Sequence, residues 1–125
     1  MGDFDFWVGE WDCTWDGGSG TNTVTAECDG VVIIERFESA ELRGRSISVR
    51  SPADGVWRQA WADSNGTWLV FSGGPTGDGG MELRLDDRRM RWTDIADAAF
   101  TWRWEKADGG DRWGTLWRIE YRRRD

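Results

Sequence analysis

Hydrophobic and polar residues alternate with a period of two along most of this chain. In the first run, Trp11 and Cys13 fall on one face, and the charged Glu10 and Asp12 fall on the other. Successive side chains of a strand point to opposite sides, so this pattern is typical of a strand with one apolar and one polar face. Comparable runs recur about every 8–12 residues with turn residues between them, which indicates a β-sandwich or a β-barrel.

The alternation predicts ten strands and no long amphipathic helix. The predicted strands are Trp7–Asp16, Thr21–Cys28, Val31–Phe37, Arg45–Ser51, Val56–Asp63, Thr67–Ser72, Met81–Leu85, Arg88–Asp94, Phe100–Glu105 and Trp113–Arg122. Asp29-Gly30 and Asn65-Gly66 are the most specific hairpin signals between them. A helical turn over Gly2–Phe6, capped by Asp3, is predicted to close one barrel end. We therefore predict an all-β protein, a single antiparallel up-and-down β-barrel domain over residues 1–125.

Tryptophan dominates the predicted interior. The chain of 125 residues is 38% hydrophobic and contains 11 Trp, whose indole is the largest of the aromatic side chains that dominate cores. The indoles either plug the lumen as a solid core or line a cavity for an aromatic or polycyclic molecule. A third interpretation, stacking on sugars, needs an exposed indole, for which only Trp68 is free. The alternation places eight inward, namely Trp11, Trp15, Trp57, Trp61, Trp92, Trp102, Trp104 and Trp117.

The charge balance excludes several classes of partner. The formal net charge is −7, whereas nucleic acids and anionic membranes attract basic surfaces. We therefore expect neither partner, and we predict that the Arg122-Arg123-Arg124 run is a solvated tail. The chain shows no signal-peptide pattern and no apolar run long enough to span a bilayer, which predicts a cytoplasmic protein. The excess of Arg over Lys suggests a bacterial source with a GC-rich genome.

The two cysteines are predicted to be buried free thiols. If the first hairpin turns at residues 16–20, Cys13 lies opposite about Thr23. Cys28 is then too far from Cys13 for a disulfide.

Polar residues predicted to face inward are the candidates for chemistry. The chain has no His, which removes Ser-His-Asp triads, Cys-His pairs and His-ligated metal or haem. Glu35 follows the apolar run Val31–Ile34, and a carboxyl group held among apolar side chains has a raised pKa suited to acid or base catalysis. If that strand faces the other way, Glu35 is solvated or pairs with an Arg. The inward polar residues are Asn22, Glu35, Gln59, Asp63, Asp94, Thr115 and Tyr121.

Gln59 lies between Trp57 and Trp61 on one strand face. An amide between two indoles can orient a flat ligand that carries a few polar atoms. It can equally be a buried amide that bonds neighbouring strands, and the same two interpretations apply to Asn22 and Tyr121. Asp63 and Asp94 differ because they lie at strand ends, where a role at the rim or in a turn is expected.

Three short segments resemble a known superfamily. They are Asp5-Phe6-Trp7-Val8-Gly9-Glu10-Trp11, Gly20-Thr21-Asn22 and Val56-Trp57-Arg58-Gln59-Ala60-Trp61-Ala62-Asp63. Gly9-Glu10-Trp11 is similar to the Gly-x-Trp signature of the calycins, which include the lipocalins and the fatty-acid-binding proteins. The ten strands resemble the fatty-acid-binding branch. The three segments together resemble a bacterial family of small lipocalin-like domains of mostly unassigned function.

The resemblance implies specific packing at the two chain ends. In calycins an Arg or Lys of the last strand lies across the motif Trp. Arg118 or Arg122 would take that place here, although the alternation puts both outward. Fatty-acid binders also hold a carboxylate with an inward Arg-x-Tyr pair. Here Arg118 and Tyr121 lie on opposite faces, so that clamp is not expected.

The opening stretch is expected to be structural. Trp7 and Trp11 would form the packed floor of the barrel, with Phe4 and Phe6 as its lid. The working surface is then expected higher in the lumen, around Trp57, Gln59 and Trp61.

We predict that the lumen binds a small hydrophobic molecule, aromatic or polycyclic, without a metal or other cofactor. One alternative is a cofactor-free isomerase or cyclase of a natural-product-like substrate, with Glu35 or Tyr121 as acid or base. The other is a structural domain whose barrel is plugged by Trp. The predicted ligand-binding residues are Asn22, Trp57, Gln59, Trp61, Trp92, Trp102, Trp104 and Trp117.

Overall fold

A computed structural model describes residues 2–124 and shows one closed antiparallel barrel of ten strands. Each strand pairs with the next in sequence, and the last pairs with the first, which confirms the predicted fold class. Each strand has one apolar face, and a closed barrel buries all of these faces in one lumen. The strands are β1 (Gly9–Trp15), β2 (Gly18–Glu27), β3 (Val32–Ser39), β4 (Arg43–Arg50), β5 (Trp57–Asp63), β6 (Trp68–Pro75), β7 (Met81–Leu85), β8 (Arg88–Thr93), β9 (Ala99–Ala107) and β10 (Trp113–Arg123).

A short 3-10 turn at Asp5–Trp7 precedes the barrel. The turn confirms the predicted helical element, but Trp7 belongs to it and not to β1. The predicted cap is wrong, because no side chain caps this turn. Asp3 instead accepts a hydrogen bond of 2.9 Å from the indole nitrogen of Trp57.

The turn closes one end of the barrel with aromatic rings. Phe4 is fully buried, and its ring meets those of Trp57 and Trp92 edge to face at centroid distances of 4.9 and 5.0 Å. Trp7 is also buried and lies 5.3 Å from Trp92. Burying one such side chain contributes about 1.5–3 kcal/mol, so this closed end is a large part of the core.

Arg123 lies across Trp11 and fastens the chain ends together. Its guanidinium carbon is 4.3 Å from the centre of the Trp11 ring. The same group donates hydrogen bonds to the backbone carbonyls of Val8 (2.9 Å), Asp97 (2.9 Å) and Phe6 (3.2 Å). This is the cation-on-Trp arrangement that the calycin resemblance implied.

The residue that makes this contact differs from the prediction. Arg118 and Arg122 are exposed on the outer face, as their alternation required. Arg123 lies one residue beyond the predicted end of the last strand, on the same side as Tyr121. The expected solvated tail is therefore wrong at Arg123, which is part of β10.

A β-bulge in β10 changes the face on which the side chains before it lie. Its pairing with β9 shifts between Thr115 and Trp117, and the inserted residue moves everything before it to the other face. Trp113 and Thr115 therefore point outward, and the prediction of an inward Thr115 is wrong. Outside the barrel, the guanidinium groups of Arg84 and Arg89 lie 4.9 and 4.1 Å from the centre of the Trp113 ring.

The seam between the first and last strands is short. β1 pairs with β10 through Trp11–Thr14 and Glu120–Arg123. Beyond this paired stretch the rings of Trp15 and Trp117 meet edge to face at 5.2 Å. Side-chain packing thus continues the seam where backbone pairing stops.

Both cysteines are free, as predicted. Cys13 lies opposite Gly20, and not opposite Thr23, because the first hairpin turns at residues 16–17. Cys28 is exposed in the turn after β2 with a φ of 53°, so its predicted burial is wrong.

Within residues 2–124, no helix has the length and apolarity required to cross a lipid bilayer.

Candidate functional site

The half of the lumen away from the N-terminal turn contains a cavity of about 270 Å³. Its rim is formed by Leu42, Asp63 and Thr67, which lie at or beside the turns of that end. The walls carry apolar side chains from six strands, β3, β5, β6, β8, β9 and β10. The aromatic ones are Phe37, Trp61, Phe71, Trp92, Trp102, Trp104, Trp117 and Tyr121.

Some of the tryptophans fill the closed end of the barrel, and others line the cavity. Trp11 and Trp57 fill the closed end, whereas Trp102, Trp104 and Trp117 are half-buried and face the cavity. The lumen is therefore solid at one end and open at the other, so the two interpretations of the indole set each describe half of the barrel.

Five of the predicted ligand-binding residues line the cavity and three do not. Trp61 lies near the rim, and Trp92, Trp102, Trp104 and Trp117 lie along the walls. Of the other three, Trp57 packs under Phe4, Gln59 donates to the Ser48 hydroxyl at 3.0 Å, and Asn22 is buried behind the wall. The predicted surface of Trp57, Gln59 and Trp61 is thus divided between the closed end and the rim.

The lining indoles support one another through edge contacts. The Trp117 ring is 5.7 Å from Trp102 and 5.8 Å from Phe37, with interplanar angles of 89° in both pairs. Phe71 and Trp104 meet at 5.7 Å and 79°. Such T-shaped pairs are favoured by the ring quadrupoles and hold the rings at fixed angles. These contacts fix the orientation of the rings in the wall.

Gly44 makes room for the indole at the rim. It lies on the inner face of β4 and pairs with Asp63 of β5. A Cβ atom at this position would overlap the Trp61 ring. The inner face of β4 continues with the small residues Ser46 and Ser48, which are also buried.

A buried chain of hydrogen bonds borders the cavity beside Glu35. The orientation of β3, which the sequence left open, places the Glu35 side chain inward, and Glu35 is only 7% exposed. Its carboxylate accepts from the Ser46 hydroxyl at 2.6 Å and from the Asn22 amide at 2.7 Å. The same amide donates to the Tyr121 hydroxyl at 2.9 Å, and the Cys13 thiol lies beside that hydroxyl.

Burial sets the protonation of this network. It raises the pKa of Glu35, and the hydrogen bonds from Ser46 and Asn22 only partly oppose that effect. Burial and the neighbouring Cys13 and Glu35 raise the pKa of Tyr121 well above its ordinary value. Burial also raises the pKa of the Cys13 thiol to about 12. Tyr121 and Cys13 therefore stay neutral near pH 7, and Glu35 is the acid–base group of the network.

Asp63 behaves differently at the rim. Its partial burial would raise the pKa, but hydrogen bonds from the Trp61 indole and from the backbone of Asn65 and Thr67 lower it overall. The indole bond is 2.9 Å long. Asp63 is therefore an ionised carboxylate that also fixes Trp61, while Asp94 is exposed in a turn with a φ of 54° and is remote from the cavity.

Several lining residues were not singled out from the sequence. They are the apolar Phe37, Leu42, Leu69, Phe71, Met90 and Ile119. Ser46 was also missed as a partner of Glu35. The sequence signal that could have found Ser46 is the presence of two small residues, Ser46 and Ser48, on one face of β4. Small inward residues leave space for a bulky neighbour.

Neither a scan against protein-family models nor a search of the curated proteins finds a match to this chain. The closed ten-stranded antiparallel barrel is consistent with a calycin-like fold. The resemblance therefore rests on the barrel and on the short motifs described above.

Proposed function

We propose that this protein binds a small apolar molecule with an aromatic ring system in the open half of the barrel. The observation that carries the proposal is the cavity, walled by aromatic rings and with polar groups at only a few points of its surface. Small-molecule sites have this composition, because apolar walls supply affinity and a few polar groups supply orientation.

The size of the cavity favours a compact ligand. Its volume of about 270 Å³ lies near the lower end of the range of about 300–1,000 Å³ for such sites. One or two fused rings suit this space better than a long acyl chain does. The carboxylate clamp of the fatty-acid binders also lacks its arginine, since Arg118 lies outside and contacts Glu120 at 2.7 Å.

Binding can be tested through the indoles of the cavity. Titration with neutral two-ring aromatics is expected to quench Trp emission saturably, because Trp102, Trp104 and Trp117 face the ligand. Gly44→Ala is expected to weaken binding at least about tenfold by pushing Trp61 from its place. Gly74→Ala is the matched control, since no atom lies within 4 Å of a Cβ built there.

Two results would contradict this function. One is a panel of ring systems that neither quenches emission saturably nor raises the melting temperature. The other is equal binding by Gly44→Ala and Gly74→Ala, which would place the ligand outside the cavity.

A second candidate function is catalysis without a cofactor. The observation that favours it is the position of Glu35, a carboxyl group of raised pKa in the cavity wall. Such a group can take a proton from one carbon of a bound substrate and return it to another, which is the chemistry of an isomerase or cyclase. Glu35→Gln is then expected to abolish turnover of a candidate substrate without lowering the melting temperature. Turnover that survives the substitution would remove Glu35 from this role.

A further inference from the structure

The charged groups of the cavity are all of one sign. Glu35 lies in the wall and Asp63 at the rim, and the lining within the described chain includes no Arg or Lys. The arginines of neighbouring strands point outward, where Arg45 pairs with Glu38 at 2.7 Å and Arg58 with Asp54 at 3.2 Å. A ligand in this cavity therefore meets carboxylates and aromatic rings without a cationic side chain.

Glu35 differs from the other buried glutamate of this barrel. Glu105 is 5% exposed on the outer face and is neutralised by Arg89 at 2.6 Å. Glu35 is equally buried, but its partners are the neutral Ser46 and Asn22, and among residues 2–124 no Arg or Lys forms an ion pair with it. A buried carboxyl group without a counter-ion is costly to ionise, which is why burial raises its pKa. An ammonium group that arrives with the ligand would supply the missing counter-ion.

We propose that the cavity takes a protonated arylalkylamine, with its ammonium group against Glu35 and its ring among Trp102, Trp104 and Trp117. This inference rests on the proposed binding function and names the chemical class of the ligand. Indole faces are the aromatic surfaces that attract cations best, and a carboxylate supplies the charge-assisted hydrogen bond that fixes an ammonium group.

The ionised carboxylate of Asp63 at the rim also favours cationic ligands. Asp63 is held as a carboxylate by three hydrogen bonds, so the mouth attracts cations and repels anions. An aromatic acid would approach Asp63 first and Glu35 next, with no basic group to offset either. The order of affinity for ligands of one shape is therefore amine, then neutral hydrocarbon, then carboxylate.

The affinity for the amine is also expected to fall at low pH. The titratable groups that face Glu35 are Tyr121 of β10 and Cys13 of β1, with Asp63 of β5 at the rim. The first two stay neutral and Asp63 stays ionised through the range in which Glu35 takes up its proton. Affinity for the ammonium group therefore falls as the pH is lowered through the pKa of Glu35.

Three probes of one shape test the proposal: naphthylmethylamine, methylnaphthalene and naphthoate. The amine is expected to bind at least about tenfold more tightly than the hydrocarbon, and naphthoate more weakly than both. Glu35→Gln is expected to reduce amine affinity to that of the hydrocarbon and to leave hydrocarbon affinity unchanged. Its amide retains the shape and can bond the Ser46 hydroxyl, and near-ultraviolet circular dichroism checks that the barrel is intact. Glu38→Gln, on the outer face of the same strand, is the control and retains the preference.

The outcomes separate this inference from the function on which it rests. Equal affinity for the three probes overturns the ligand class while cavity binding stands, and a preference that survives Glu35→Gln overturns the role of Glu35. A preference lost in Asp63→Asn but kept in Glu35→Gln moves the counter-ion to the rim and overturns the role of Glu35. If none of the probes binds, both the inference and the proposed function fail.

Discussion

At the scale of single residues, Arg123 makes the most connections between distant parts of the chain. One guanidinium group covers Trp11 and donates to carbonyls of the N-terminal turn region and of the turn before β9. Hydrogen bonds from a charged donor and cation–π contacts are each stronger than neutral contacts of the same area. Arg123 thus ties the N-terminal turn and the turn before β9 to the closed end of the barrel.

Replacement of Arg123 by Ala is expected to lower the free energy of unfolding by about 2–3 kcal/mol, because three carbonyls lose a charged donor. Arg122→Ala is the matched control, since its side chain is exposed on the outer face, and it is expected to cost less than about 0.5 kcal/mol. Urea unfolding followed by Trp emission measures both. Similar losses in the two variants would show that the Arg123 contacts do not stabilise the barrel.

At the scale of elements, the bulge in β10 decides what each side of that strand presents. The residue inserted between the paired Thr115 and Trp117 is Leu116, whose side chain is exposed. Before it, Trp113 faces the outer arginines. After it, Trp117 faces the cavity. One extra residue thus lets a single strand supply an indole to each side of the barrel.

Deletion of Leu116 tests this account. Its removal makes Thr115 and Trp117 consecutive, like their partners Glu105 and Trp104, so Trp113 stays outside and Trp117 stays inside. We therefore expect this deletion to change stability by less than about 1 kcal/mol. Deletion of Gly114 instead turns Trp113 toward the lumen, and we expect it to cost more than about 2 kcal/mol. Thermal unfolding of both variants compares the two registers, and equal melting temperatures would contradict the role of the bulge.

The elements also show what alternation can and cannot predict. It predicted ten strands because each buries one face of a shared lumen, and it placed Trp102 and Trp104 correctly since no residue is inserted in β9. It placed Thr115 on the wrong face, because the alternation of apolar and polar residues does not reveal an inserted residue. It missed Arg123 only because the last strand was ended one residue early.

The candidate site was harder to predict than the fold. The inward face of Glu35 follows from its pairing with the buried Val24 of β2 and the buried Ser46 of β4. The hydrogen bonds of Asn22 with Glu35 and Tyr121 join three strands. Such pairings depend on barrel closure, and one sequence does not contain that information.

At the scale of the whole molecule, Glu35 links stability to pH. Burial raises its folded-state pKa above the ordinary value of 4.5, so the folded state binds more protons than the unfolded state between these two values. The contribution of Glu35 to stability is therefore complete below pH 4.5 and is lost as the pH rises through the folded-state pKa.

Glu35→Gln removes this titration without changing the shape of the side chain. The variant is expected to gain stability relative to the natural chain near pH 7, and the gain is expected to shrink as the pH falls toward 4.5. Urea unfolding across that range measures the difference. A constant difference at all pH values would show that the pKa of Glu35 does not change on unfolding. Glu38→Gln, on the outer face of the same strand, is the control.

The short seam between β1 and β10 has a consequence for how the protein reaches its native state. These strands are the first and last of the barrel to be synthesised, and Arg123 bonds a carbonyl 115 residues earlier in the chain. Until β10 emerges from the ribosome, β1 has an unpaired edge and the interior lacks the rings of Trp117 and Tyr121. Closure of such a long loop is slow, and an open sheet with a bare apolar face is the species that aggregates. Chaperone dependence and expression yield should therefore respond most to changes in the final strand.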